Sequence, residues 1–182
     1  MPASAEITLF GSFAETGRGH GTDRALVAGL LGFATDDVRI KNSLEFADDA
    51  GMHAEIRFSR ETPAHPNTAK IEAVCRDGRH VELTGVSVGG GSIEVREVNG
   101  MEVSFGCEYP TLLIFHKDRP GAIYAVTGSI SRADINIAFM RVFRSSKFEN
   151  ACMVIEVDGE IPDRLVDEVT NCDSGITGVY TL

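Results

Sequence analysis

Residues 111–130 read TLLIFHKDRPGAIYAVTGSI. TLLIFHK is a short apolar run with the composition of a strand. Pro120 stands where a helix opens, at a position its missing N–H and fixed φ suit. Ile123, Val126, Thr127 and Ile130 then recur at i, i+3, i+4 and i+7, the spacing of one helix face. Downstream, NIAFMRVFR alternates, with Ala138, Met140 and Val142 on one side, and ACMVIEV is a second apolar run. A helix from Pro162 presents Leu165, Val166 and Val169, and ITGVYTL closes the chain. The order β-α-β-β-α-β over residues 111–182 is the ferredoxin-like arrangement.

Working upstream, Gly106 to Pro110 reads as a linker, and residues 6–105 form a different half. EITLFGSF reads as a strand. GHGTDRALVAGLLG (19–32) follows, with Leu26, Leu30 and Phe33 at helical spacing and Val27, Ala28 and Leu31 on the other sides. This predicts a helix buried all round, with Thr22 or Asp23 as its N-cap. His20 then lies just ahead of a helix N-terminus, where free N–H groups and the dipole attract an anion and the flanking glycines allow close approach. The competing reading is a glycine-rich turn with an idle, exposed histidine. A second helix fits NSLEFADDAG, with Asn42 as cap, Glu45 completing a capping box and Gly51 ending it. Strands dominate afterwards: HAEIRFS, TAKIEAVC, HVELTGVSV, SIEVREV and MEVSF, with Arg76-Asp77-Gly78-Arg79 as a hairpin turn. GGGS at 89–92 lacks the lysine of a phosphate loop and lies between strands, so it reads as a turn or bulge. The fold class is α+β. A mixed α/β domain (1–105) and a linker (106–110) precede a ferredoxin-like domain (111–182).

The chain has 182 residues, 43% of them hydrophobic, enough to bury a core in one domain or two small ones. Its net charge of −10 gives no electrostatic footprint for nucleic acid or an anionic membrane. No apolar run approaches the ~18 residues of a membrane span. MPASAEITLF lacks the basic start and apolar core of a signal peptide, so a cytoplasmic protein is expected. Cys75, Cys107, Cys152 and Cys172 form no CxxC pair, which argues against a metal centre built by this chain alone and, in the cytoplasm, against disulfides. Cys152, in an apolar run, reads as a core filler. His53 and His80 read as surface residues and Asp48-Asp49 as a solvated helix face.

Two stretches of the second half, His116-Lys117-Asp118-Arg119-Pro120-Gly121 and Ile135-Asn136-Ile137-Ala138, resemble the ligand-binding stretches of the ACT domain, an amino-acid-sensing module. The likeness is nearest to the serine-binding ACT domain of phosphoglycerate dehydrogenases. It implies a homodimer in which the first stretch of one protomer and the Asn-bearing strand start of its partner enclose an amino acid. His116, Asp118 and Asn136 would be its polar ligands, with Gly121 allowing close approach. The bland alternative for His116 is a satisfied histidine at a strand end. In the first half, GSFAETGRGHGTDRALVAGLLG, RIKNSLEFADDAG, HPNT (65–68) and GVSVGGGSIEV resemble the beta subunit of the iron–sulfur-dependent L-serine dehydratases, in its allosteric substrate-binding domain.

That resemblance implies a lyase converting L-serine to pyruvate and ammonia. A [4Fe-4S] cluster, held by a partner alpha subunit and not by this chain, would act as Lewis acid on the serine hydroxyl. GHGTD would lie near the active-site cleft, His20 positioning substrate or transferring a proton and Asp23 orienting it. HPNT is open to a structural or a functional role. Beta subunits of the family usually begin with a segment bearing a Ser-Ser-Ser-His-Thr motif, and no such motif stands here. The segment belongs to another chain, lies ahead of this start, or is lacking in a regulatory derivative. The alternative function is a stand-alone amino-acid-binding ACT module without lyase activity.

Overall fold

The computed structural model describes residues 1–146, 149–173 and 175–182. They divide into two compact units, 1–100 and 101–182. The division falls between Gly100 and Met101, ahead of the 106–110 stretch read as a linker from composition.

In the first unit, β1 (Pro2–Gly11) is followed by α1 (Ser12–His20), α2 (Thr22–Leu30), a 3-10 turn (Val38–Asn42) and α3 (Ser43–Asp49). Strands β2 (His53–Phe58), β3 (Asn67–Cys75), β4 (His80–Gly89) and β5 (Ser92–Val98) complete it. They lie in the order β2-β1-β3-β4-β5, with β1 and β2 parallel and the other neighbours antiparallel. Alternation decides the faces. Ile7 and Leu9 of β1 are fully buried and pack with Val27, Ala47 and Met52 from the helical segment, and Ala69 of β3.

Several local expectations change. EITLFGSF is not strand throughout, because β1 ends at Gly11 and α1 begins at Ser12. Gly11 has φ +53°, and a Cβ there would stand 2.5 Å from the Pro66 carbonyl oxygen, so only glycine makes this strand-to-helix corner. α2 is capped by Gly21 and not by the side chain of Thr22 or Asp23; Asp23 Oδ1 accepts the Arg24 N–H instead, at 2.9 Å. Nor is α2 buried all round. Val27 and Ala28 are buried, while Arg24, Ala25 and Gly29 face solvent. α3 forms as read, but Asn42 makes no side-chain cap bond, so the capping box is absent. Gly51 does end α3: its N–H donates to Asp48 (2.9 Å) and that of Met52 to Ala47 (2.8 Å), the paired bonds of a Schellman cap. Gly78 and the run Gly89-Gly90-Gly91 all have positive φ, and both stretches are hairpin turns.

The second unit holds β6 (Met101–Phe105), β7 (Thr111–Lys117), α4 (Ala122–Arg132), β8 (Ile137–Arg144), β9 (Asn150–Val157), α5 (Asp163–Asn171) and β10 (Ile176–Thr181). From β7 onward the order is β-α-β-β-α-β, with a sheet β10-β7-β9-β8 antiparallel at every pairing. Leu112, Ile114, Met153 and Ile155 of the sheet meet Val126 and Ile130 of α4 and Leu165 and Val169 of α5. β9 is buried from Ala151 to Val157, on both faces. β6 lies against β8 and β9, where Arg141 Nη1 donates to the Ser104 carbonyl at 3.1 Å. α4 starts at Ala122 behind a Gly121 cap at φ +93°, so Pro120 sits ahead of the helix instead of opening it. Its buried face is Ala122, Val126, Ser129 and Ile130, and Ile123 is 48% exposed. Among the described residues, no helix is long and apolar enough to cross a membrane.

Candidate functional site

The β7–α4 loop carries the first stretch. His116, the penultimate residue of β7, is 3% exposed. Its Nδ1 lies 2.8 Å from the Lys117 carbonyl oxygen, which makes Nδ1 the donor and leaves Nε2 the lone pair of the neutral ring. Nε2 is buried with no hydrogen-bond partner among the described residues. Leaving such an acceptor unmet costs ~1–3 kcal/mol. Among the described residues His116 thus lacks the second partner that the bland reading gives it.

The next three residues are tied down. Lys117 Nζ donates to Asn150 Oδ1 at 2.8 Å. Asp118 N–H donates to the Glu149 carbonyl at 2.9 Å, and Asp118 Oδ2 accepts from Arg144 Nε (3.0 Å) and Nη2. Arg119 pairs with Asp173, whose Oδ1 also accepts the Gly175 N–H at 2.7 Å. The Arg119 guanidinium first, and that N–H second, hold the Asp173 carboxyl below its ordinary range. At Gly121, nothing lies within 4 Å of where a Cβ would stand, so a ligand can approach the backbone there.

Asn136 lies elsewhere. His116 pairs with Ala151 of β9, which pairs with Arg144 at the end of β8, whereas Ile137 at the start of β8 pairs with Val157. β7 and β8 thus run parallel on either side of β9, and Asn136 sits at the opposite end of the sheet from His116. A strand's length, about 20 Å at ~3.3 Å per residue, separates them. Asn136 Nδ2 donates to Asp158 Oδ2 at 2.7 Å, and the residue borders a groove of about 390 Å³ with Thr127, Ser131 and Asp134. Within one chain, the HKDRPG loop and Asn136 do not meet.

In the first unit, His20 is the exposed last residue of α1, and Gly21 alone separates it from α2. Asp23 makes no hydrogen bond to His20 among the described residues. It lies in the first turn of α2, beyond the left-handed Gly21, with Oδ1 engaged by Arg24 N–H. HPNT is tied down locally: Asn67 N–H donates to His65 Nδ1 at 3.2 Å, Thr68 Oγ1 to the His65 carbonyl at 2.5 Å, and Pro66 backs Gly11. Reading the sequence missed a cleft of about 670 Å³ at the C-terminal ends of the parallel β1 and β2, lined by Gly11, Glu15, Phe58 and Arg60 among others. Its one linear signal was position, since parallel strand ends are where α/β folds hold ligands. Arg144, the partner of Asp118, was also missed, because nothing in the sequence joins two residues across the sheet end.

The four cysteines are free and scattered, with Cys75 ending β3, Cys107 between β6 and β7, Cys152 in β9 and Cys172 just past α5, and burial pushes the Cys152 thiol up to about 12. Burial also raises Cys107 and Cys172. Among the described residues no three His, Cys, Asp or Glu converge to hold a metal ion. Cysteines this scattered do not fit an iron–sulfur cluster.

A family model described as the serine dehydratase beta chain matches residues 2–61, and one described as the AHAS small subunit-like ACT domain matches residues 112–172. The chain is 42% identical over 169 residues to the probable L-serine dehydratase, beta chain, of Bacillus subtilis (strain 168), covering 93% of this chain and 76% of that one. The chain belongs to the serine dehydratase beta-chain family. The L-serine dehydratase beta chain of Peptoniphilus asaccharolyticus is 33% identical over 176 residues, 96% of this chain and 79% of its own. D-3-phosphoglycerate dehydrogenase of Mycobacterium tuberculosis (strain ATCC 25618 / H37Rv) is 27% identical over 129 residues, 70% of this chain and 24% of that enzyme. In this beta-chain family member, the stretch matched by the first model holds α1, α2, His20 and most of the β1–β2 cleft. The ACT domain holds His116, Asp118, Gly121 and Asn136.

Proposed function

We propose that this chain is the beta subunit of an L-serine ammonia-lyase, working with an alpha subunit and sensing an amino acid, L-serine first, through its ACT domain. Family membership supports the subunit reading. The observation that carries the sensing half is the placement of His116, Asp118 and Gly121 at one end of the ACT sheet and Asn136 at the other. One chain offers two half-sites, and a second copy brings them together.

The reaction removes the α-proton to a base and the hydroxyl as water; the resulting enamine hydrolyses to pyruvate and ammonia. When bound in the alpha subunit, a [4Fe-4S] cluster supplies a Lewis acid for the departing hydroxyl. This chain's own cysteines are unsuited to hold it. What this chain brings to that reaction is His20, an exposed ring at the α1–α2 junction that can hold or pass a proton at a cleft shared with the partner. In the ACT domain, His116 Nε2 is an acceptor awaiting a donor, and an ammonium or hydroxyl of the ligand meets it. Asn136 of a second copy closes the site.

The second reading, an ACT module without lyase activity, draws on Asp23 Oδ1 being engaged by the Arg24 N–H. Co-purification with the alpha subunit under anaerobic conditions decides between them. The expected result is pyruvate from L-serine with the complex and none with this chain alone. L-serine should also raise the melting temperature of the chain by itself, adding ~2.7 kcal/mol at about 100 times its Kd. A thermal shift with L-serine and no turnover from the loaded complex would favour the regulatory module.

A further inference from the structure

In the ferredoxin-like unit, Asp118 and Arg144 face each other across the end of β9, and between them they carry the two charges of an amino-acid zwitterion in mirror image. The reading of this domain as an amino-acid sensor gives Asp118 the ligand's ammonium. In the structure its Oδ2 is taken by Arg144, so the ammonium has to displace or share that guanidinium. A bare cation doing so would strand Arg144 without a counter-charge. A zwitterion would not, since its carboxylate takes the guanidinium as its ammonium takes Asp118. We infer that Arg144 is the carboxylate-binding, specificity-determining residue of the ACT ligand, and that the Asp118–Arg144 pair is a bridge opened by an α-amino acid. This inference rests on the sensing reading above and adds the residue that selects the ligand class.

Three features support it. Arg144 Nε and Nη2 converge on one oxygen, Oδ2, in place of the fork-to-fork match to two oxygens that makes such pairs strongest. The Arg144 side chain is 49% exposed against 17% for Asp118, so the guanidinium is the partner with room to swing away. The neighbouring cations are committed elsewhere, Lys117 to Asn150 and Arg119 to Asp173.

The test measures affinity of the full chain for L-serine and for L-serinamide, which keeps the ammonium and hydroxyl but lacks the carboxylate. Arg144→Met should weaken L-serine about tenfold or more and should not weaken L-serinamide, whose ammonium then meets Asp118 with no guanidinium to displace. Arg144→Lys, which keeps charge but loses the fork, should fall between. The melting temperature without ligand checks that each variant folds, and Asn136→Ala marks loss of the site as a whole. If Asn136→Ala abolishes L-serine binding while both Arg144 variants bind as wild type does, the sensor stands and this inference fails, the carboxylate being held by the α4 N-terminus alone. If wild-type protein does not respond to L-serine at all, the sensing reading falls and takes this inference with it.

Discussion

His116 and His20 carry the same ring into opposite surroundings. His116 is buried, fixed through Nδ1 and, among the described residues, short of a partner at Nε2; His20 ends a helix in solvent. Their substitutions should therefore separate binding from chemistry. His20→Ala removes no packing, so its stability should stay within ~0.5 kcal/mol of wild type. Turnover of the reconstituted complex should fall ~10²–10⁴-fold, the usual loss for a positioned acid or base. Unchanged steady-state kinetics would return GHGTD to a turn between two helices. Asp173 makes a prediction in pH. Its carboxyl is held below the ordinary 3.8 by Arg119 and the Gly175 N–H. A depressed folded pKa contributes stability above the unfolded value and loses it as pH falls through the folded one. Wild type should thus melt above Asp173→Asn at neutral pH, and the gap should close as the pH drops below 3.8. A gap that persists in acid would mean the variant acts through packing.

At the scale of elements, the corner between β1 and α1 hangs on one glycine. Gly11→Ala meets both a positive φ and the Pro66 oxygen 2.5 Å from the new Cβ, so urea unfolding should report a loss of ~1–3 kcal/mol. The sheet itself carries a charge conflict. Register places Glu55 of β2 beside Glu6 of β1, Glu6 beside Glu72 of β3, and Glu72 beside Glu82 of β4. Like charges directly opposite repel. Arg57 answers Glu6 (2.6 Å) and Glu55 (2.9 Å), while Lys70 answers Glu82 (3.0 Å) and Glu72 (3.5 Å). Lys70→Met should cost ~0.5–1 kcal/mol at low salt and less at high salt, where screening relieves the carboxylates. An equal loss at both would assign the effect to the lost stem of the lysine. Neither feature was legible in the sequence. The row of carboxylates needs a register four strands wide, and α1 escaped because SFAETGRGH has two glycines and no clear apolar period. α3 was legible, since Gly51 stops it in the sequence as in the structure.

Over the whole molecule, the ferredoxin-like half was readable because each element kept one period and Pro or Gly marked the joints. Its candidate ligand residues were readable as two stretches. What the stretches could not give was distance: the pairings that put His116 and Asn136 at opposite sheet ends arise only once β9 is threaded between β7 and β8. The same threading brings Arg144 to Asp118 from 26 residues away. This placement makes a prediction that a site within one chain cannot meet. In a two-fold dimer each site takes its loop from one protomer and its asparagine from the other. His116→Ala and Asn136→Ala homodimers should both lose the L-serine response, because every site lacks one side. Mixing the two variants under exchange should restore it in part. Half the dimers are then mixed, and in each mixed dimer one site carries both defects and the other carries none, so about a quarter of all sites should bind L-serine with wild-type affinity. Calorimetric titration of the mixture measures that fraction directly. Two silent variants that stay silent after exchange, in a preparation whose mixed dimers are demonstrated by mass, would place the binding site inside a single chain.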